Sequence, residues 1–244
     1  MKIVNISDTH GLHESMTNYH KLGEGDVLIH AGDFSNIGRQ NQIIDFIAWL
    51  HRQLKHFNHI IFIAGNNDRG MDPMLVETKS SVGHIKVYNE IDIDNPSVVM
   101  EKPDWLLDAI GHLDKRIHYL ENSGVSIDGI NFWGSPITPN FFEQYWAFNR
   151  TRGEKIKRYW DMIPQDTNVL ITHGPAKGIG DYIKDQKLNV GCEELELKVK
   201  YDLPNLKLHT FGHIHDGYGR RIEGDVTYVN ASICTEQYVP KNAP

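Results

Sequence analysis

Three features of the 244-residue chain predict an α/β fold of packed sheets flanked by helices. Short apolar, β-branched runs stop abruptly at polar residues, segments of helical periodicity lie between them, and an Asp-Gly pair sits inside an apolar stretch. In chain order the runs are "KIVNIS" before "DTH", "VLIH" before "AGD", "IIFIA" before "GNND", "NVLIT" before "HG" and "LHTF" before "GHIH". Each is short enough for a strand. The clearest helix is "NQIIDFIAWLHRQLKHF", whose Ile43, Ile44, Ile47, Leu50 and Leu54 recur at helical spacing. A second, "GEKIKRYWDMI", is stopped by Pro164. "VSIDGINFW" carries the Asp-Gly chemistry of a two-residue hairpin turn. Neither a repeat nor a Gly/Ser linker divides the chain, so residues 1–244 are expected to form one domain. Residues 92–115, with Pro96 and Pro103, read as an excursion or lid.

Bulk properties narrow the chemistry. A chain of this length buries roughly 70–75% of its unfolded surface, so it needs no staples. Cys192 and Cys234 are too few for a disulfide framework and too far apart for a zinc knuckle, and they read as buried thiols. No apolar stretch approaches the ~20 residues of a membrane helix, and no cleavable leader is evident. The expectation is a soluble, cytoplasmic protein without a membrane partner. A net charge of −7 disfavours a protein that grips polymeric nucleic acid through its phosphates. Histidine is abundant, with 14 residues, several directly after apolar runs.

Strand C-termini gather at one edge of a sheet, where α/β ligand sites form. Collected there are Asp8, His10, Asp33, Asn66, Asn67, His173, His213 and His215. Singly, each has a plain reading: Asp33 could cap the next helix, and His173 before Gly174-Pro175 could be a hydrogen-bonded loop histidine. Together they need a cation, since carboxylates and imidazoles facing one another without one would stay desolvated and unpaired. Imidazole and carboxylate donors without cysteine suit Mn²⁺, Fe, Zn²⁺ or Ni²⁺.

The blocks "DTH", "GD" at 32–33, "GNND", "HG" and "GHIH" resemble the signature of the calcineurin-like metallophosphoesterases: D-x-H, G-D, G-N-H-[DE], a histidine before glycine, and G-H-x-H. Within that superfamily "SDTHGLH", "GDVLIHAGDFSNIG", "THGPAKGIGD", "VGCEEL", "FGHIHDGYG" and "YVNASICT" look most like the metallophosphoesterase-domain-containing branch. The likeness covers roughly residues 1–91 and 116–240. It implies a two-layer β-sandwich flanked by helices, with a dinuclear centre at the strand ends. It further implies hydrolysis of a phosphodiester, often a small cyclic nucleotide, by a hydroxide bridging the metals. Carried over by position, one ion takes Asp8, His10 and His215, the other takes Asn66, His173 and His213, and Asp33 bridges them. Two divalent transition metal ions are expected, Mn²⁺ foremost.

Position 67 departs from the pattern, which has histidine there to contact the phosphate and protonate the departing oxygen. Asn67 can donate a hydrogen bond but has no transferable proton near neutral pH. It is therefore the expected catalytic and substrate-binding position of a slow enzyme, or of an engineered, substrate-trapping variant with its ligands intact. The alternative is a non-catalytic nucleotide sensor or sponge on the same metal site. Phe34, after the bridging aspartate, and Tyr218, in "HDGYG", are expected as substrate contacts. The aromatic run "NFFEQYWAFNR" at 140–150 could overhang the site, and Arg150 or Arg152 could reach a phosphate. His30 and His209 read as packed structural histidines. The partner is expected to be a small nucleotide.

Overall fold

The computed structural model describes residues 1–80, 83–88, 94–97, 100–141 and 146–244. All five apolar runs are strands, namely Ile3–Ile6, Gly25–Ala31, Phe57–Ile63, Val169–Thr172 and Leu208–Phe211. The first three form a parallel sheet extended by Ile117–Tyr119. The other two are central in a six-stranded sheet with Val226–Asn230 and Ile130–Ser135, all parallel. Antiparallel strands Gly219–Glu223 and Ser123–Ile127 close its edges. The Asp-Gly pair makes the expected turn, with Asp128 at φ 52° and Gly129 at φ 77°, and Ile127 pairs with Ile130.

Strand alternation explains the layers. Val27, Ile29, Ala31, Ile61 and Ile63 point one way and pack with Phe132, Val169 and Ile171 of the second sheet. Leu28, Ile60 and Phe62 point the other way, into a cluster with helix Gln40–Gln53. The result is the two-layer sandwich with helices outside. The helix buries Ile43, Phe46, Trp49 and Leu50, while Ile44 is 47% exposed. Its inward stripe is thus rotated from the expected one, because the aromatic rings at 46 and 49 take the interior. The chain leaves the helix at Leu54 and Phe57 already begins a strand. The second expected helix runs Glu154–Asp161 and buries Ile156, Tyr159 and Trp160.

Within the expected excursion, Asp104–Gly111 is a helix whose Leu106 is buried in the main core; residues 92–93 and 98–99 lie outside the described residues. Among the described residues no helix is long and apolar enough to cross a membrane. His30 and His209 are fully buried, each holding a threonine hydroxyl, Thr9 at 2.9 Å and Thr172 at 2.8 Å.

The two sheets meet at a seam. Beyond Asn230 the chain crosses to the first sheet, where Ser7 N–H donates to Ala231 O (2.8 Å) and Ile233 N–H donates to Ser7 O (2.8 Å). Asp8 N–H donates in turn to Gly32 O (2.9 Å). This stitching holds the polar ends of both sheets against one another.

Candidate metal centre

Four of the polar residues at the seam, Asp8, His10, Asp33 and His213, have positive φ (51°, 45°, 53° and 68°). The left-handed region is uncommon for such residues and persists only where surrounding structure enforces it. The glycines of the motifs have a related cause. A Cβ at Gly65 would collide with the Asp33 carboxylate, and one at Gly212 with that of Asp8. Backbone must pass within contact of the carboxylates, so G-N and G-H begin with glycine.

Asp8, His10 and His215 present ligand atoms that all lie within 4.8 Å of one another, as do Asp8, Asp33 and His173. Asp8 therefore serves both groups, where the resemblance gave it to one. His215 Nε2 is 3.4 Å from Asp8 Oδ1 and 3.4 Å from His10 Nε2. Asp33, a member of the second group, also faces the first, with Oδ1 3.3 Å from His173 Nε2 and Oδ2 3.9 Å from His10 Nε2. Asn66 joins through Oδ1, 2.9 Å from His173 Nε2. The His213 ring lies 5.0 Å, centre to centre, from that of His173, outside both tight groups but on the same cavity.

Second partners aim the imidazoles. His173 Nδ1 is held by Ala31 O (2.9 Å) and His215 Nδ1 by Thr235 O (3.1 Å), which directs each Nε2 at the carboxylates, the usual arrangement of a metal-ligating histidine. Ser232 Oγ donates to Asp8 Oδ2 (2.8 Å) and His213 N–H to both Asp8 oxygens (3.1 and 3.0 Å). Two Nε2 atoms facing each other beside buried carboxylates fit a cation between them. The donor set, nitrogen and oxygen without sulfur, suits divalent transition metals.

The electrostatics agree. Burial alone would raise the Asp8 and Asp33 carboxyls, but His215 beside the first and His173 beside the second outweigh it and hold both well below the usual range. Burial pulls His173 down, yet Asp33 more than compensates and lifts it to about 9. His213 is pushed down to about 3, by burial first and then by the charge on His173.

Asn67 is turned onto the Asp33 carboxylate: its backbone N–H donates to Asp33 Oδ1 (2.8 Å) and its Nδ2 to Asp33 Oδ2 (2.6 Å). It lines a cavity of about 450 Å³ with His10, Asp33, Asn66, His213 and His215. Of the residues expected to touch substrate, two do not line that cavity. Phe34 is fully buried and stacks on Phe46, ring centres 4.1 Å apart, because the chain after Asp33 turns inward toward the outer helix. Tyr218 is on the surface, where its hydroxyl donates to Ala243 O (3.0 Å). Tyr238 stands nearer, edge-on to His10 at 4.7 Å and lining the cavity. From the 140–150 run, Phe141 and Trp146 line the cavity, while residues 142–145 lie outside the described residues. Arg152 lines it too, whereas Arg150 is buried with Nε donating to Tyr159 Oη (3.0 Å).

Asp68 is the functional neighbour that sequence reasoning passed over, although it is the last letter of "GNND". Its carboxylate accepts from Gly65 N–H, Phe34 N–H, Ser35 N–H and Ser35 Oγ (2.8, 3.3, 2.8 and 2.6 Å), tying two ligand-bearing loops together. Burial, then the charge on Asp33, lifts it to about 7 despite these donors.

The calcineurin-like phosphoesterase family model matches residues 1–217. Metallophosphoesterase domain-containing protein 1 of Homo sapiens is 37% identical over 243 residues, spanning 100% of this chain and 69% of that protein. The Mus musculus protein of the same name matches to the same extent. UPF0046 protein K07C11.7 of Caenorhabditis elegans is 33% identical over 238 residues, 97% of this chain and 71% of its own.

Proposed function

The chain belongs to the calcineurin-like phosphoesterase family of metal-dependent phosphoester hydrolases, and on that premise we propose that it is a phosphodiesterase acting slowly on a small, cyclic nucleotide. The observation that carries this reading is the pair of buried carboxylates, Asp8 and Asp33, ringed by histidines. Asp33 stands between His10 and His173, with Asp8 common to both groups, His215 beside His10 and Asn66 beside His173. Asp8, His10 and His215 would hold one ion, and Asn66, His173 and His213 the other; manganese is the first metal to try. Bound ions supply Lewis acidity and an activated water at neutral pH, so no serine or cysteine nucleophile is required.

The chain's own contribution is positioning. An amide carries two N–H groups; one of Asn67's goes to Asp33, and the other is suited to a phosphoryl oxygen. Asparagine cannot hand a proton to the departing oxygen, which is why turnover is slow with an alkoxide leaving group. Two buried, unpaired thiols at Cys192 and Cys234 suit the reducing cytoplasm.

The same asparagine favours one competing reading, a nucleotide sensor or sponge that binds on the metals without turnover. Replacement of Asn67 by histidine separates them. With manganese supplied, Asn67→Gly serves as the donor-free control for Asn67→His. The histidine variant should cleave a nucleotide with a poor alkoxide leaving group about 10²–10⁴ times faster than the parent chain, the usual worth of a general acid. An activated aryl diester should gain little. Tight binding with no gain in either assay supports the sponge.

A further inference from the structure

One wall of the cavity is a hairpin that contributes none of the candidate metal ligands. Strands Tyr182–Ile183 and Leu188–Asn189 form a short antiparallel hairpin, and Ile183, Gln186, Leu188 and Val190 from it and its exit line the cavity. It is pinned rather than loose. The buried Asp181 carboxylate accepts from Gly178 N–H (3.0 Å), Gly191 N–H (3.0 Å) and Asn189 Nδ2 (2.5 Å). Lys184, toward the tip, gives its N–H to Asp216 Oδ2 (2.9 Å) and its ammonium to Oδ1 (2.9 Å).

Charge around this wall is one-sided. Among the described residues lining the cavity, Arg152 is the sole arginine or lysine. Its guanidinium is committed to the wall: Nη1 donates to Gly191 O (2.9 Å) and Glu193 Oε2 (2.6 Å), and Nη2 to Val190 O (2.6 Å). Arg152 is thereby a positioning residue for the hairpin. Glu236, by contrast, brings to the cavity a carboxyl group that shares a hydrogen bond with Asp216 and has no cation bonded to it among the described contacts, while Asp216 already has Lys184. A phosphoryl group on the metal centre would be neutralised there, but a second phosphate would meet the Glu236–Asp216 pair and, among the described lining residues, no uncommitted arginine or lysine.

We propose that the 181–191 hairpin is the subsite for the organic part of the substrate, taking an uncharged planar ring from an ester that carries a single phosphorus, with Gln186 reading the ring's hydrogen-bonding edge. Ile183, Leu188 and Val190 supply the apolar face, with Phe141 and Trp146 lining the same cavity. Such a mixture of apolar walls and few polar groups is what fixes the orientation of a small ligand. Gln186, with both donor and acceptor on its amide, discriminates between rings by their edge pattern. The inference rests on the phosphodiesterase reading and refines it: cyclic mononucleotides enter, while bisphosphates and oligonucleotides are turned away.

The test uses the manganese-loaded chain and inhibition of aryl diester hydrolysis. Inhibition constants are measured for purine and pyrimidine cyclic monophosphates, for methyl phosphate, which has no ring, and for a nucleoside 3′,5′-bisphosphate. In Gln186→Ala the constant for the preferred cyclic nucleotide should rise about tenfold relative to that for methyl phosphate, the worth of a lost hydrogen bond. Purine and pyrimidine should then be bound alike. In Glu236→Lys the bisphosphate should gain about tenfold relative to the cyclic monophosphate. Unchanged ratios in both variants, with their melting temperatures intact, overturn the hairpin assignment. Absence of aryl diester hydrolysis with manganese, iron, zinc or nickel strikes the phosphodiesterase reading instead. Binding of the same ligands by calorimetry then decides the hairpin separately.

Discussion

The metal-binding side of the cavity hangs from the ends of strands in two sheets, with glycines that admit no Cβ and backbone held at positive φ. The facing materials of the organic wall are different in kind: a hairpin of two-residue strands, fastened by side chains that reach across from Arg152 and Asp216. Chemistry that must be held to within fractions of an ångström is built on rigid elements, and selectivity is delegated to loops. The first kind of construction leaves short, ordered motifs in a sequence. The second leaves almost none.

If that division of labour is right, disturbing the two sides should have unequal consequences. Asp33→Ala removes the carboxylate that stands between His10 and His173 and is the proposed bridge between the ions. Metal content measured by mass spectrometry should fall from two ions per chain, and turnover should drop about 10⁴-fold or more, since each ion contributes several kcal/mol to the barrier. Retention of both ions would show that Asp33 is not the bridge.

Phe34→Ala tests the boundary between site and core. The ring is fully buried against Phe46 and Phe62, so the cost should be about 3–5 kcal/mol of stability by denaturant unfolding. Nucleotide affinity of the folded fraction should be almost unaltered. A variant of normal stability with weakened nucleotide binding would return Phe34 to the substrate.

The pH response reports first on His173, and in the same direction on His215, which burial pulls down but Asp8 raises. A pKa of about 9 for His173 in the metal-free protein means that at pH 7 it holds a proton which a metal must displace. Metal affinity should therefore rise about tenfold per pH unit up to about pH 9, with proton release seen as buffer-dependent heat in calorimetry. In chelator-treated protein the same raised pKa contributes stability that is fully present below about pH 6.5 and lost as pH rises through about 9. The histidines pushed down to about 3, His30, His209 and His213, act in the other direction. They are neutral when folded and take up protons when unfolded, so their contribution is lost as pH falls below about 6.5. A metal-free melting temperature that keeps rising between pH 7 and 9 contradicts the ion pair between His173 and Asp33.

The smallest expected effect is at Tyr218. Its hydroxyl bonds only with backbone of the C-terminal residues among the described contacts, so Tyr218→Phe should shift stability by no more than about 0.5 kcal/mol and leave metal content and nucleotide affinity alone. A change in nucleotide affinity would extend the substrate wall to this side.

Much of the fold was legible because alternation and helical spacing are local signals. The five apolar runs, the Asp-Gly turn at 128–129 and the helix at 154–161 needed only neighbours in the chain to be read. The helix at 40–53 was legible in existence but not in facing, since Ile44 and Trp49 both fit an apolar stripe and the size of the interior space chose between them. Asp68 was visible as a letter, yet its work of joining the 33–35 and 65–68 loops depends on donors more than 30 residues away.

The order and identity of the polar residues at the strand ends were set in the chain itself, because a strand that stops at Gly-Asp or Gly-His must present those groups at its edge. Which aromatic ring would face the cavity was another matter. Phe34 went to the core because the chain after Asp33 turns inward onto Phe46, and Tyr238 reached His10 because Ser7 pairs with Ser232 across the whole chain and draws the C-terminal segment over the site. Contacts so distant in sequence follow from packing two sheets together, and no local pattern of residues encodes which side chain such packing leaves at the mouth.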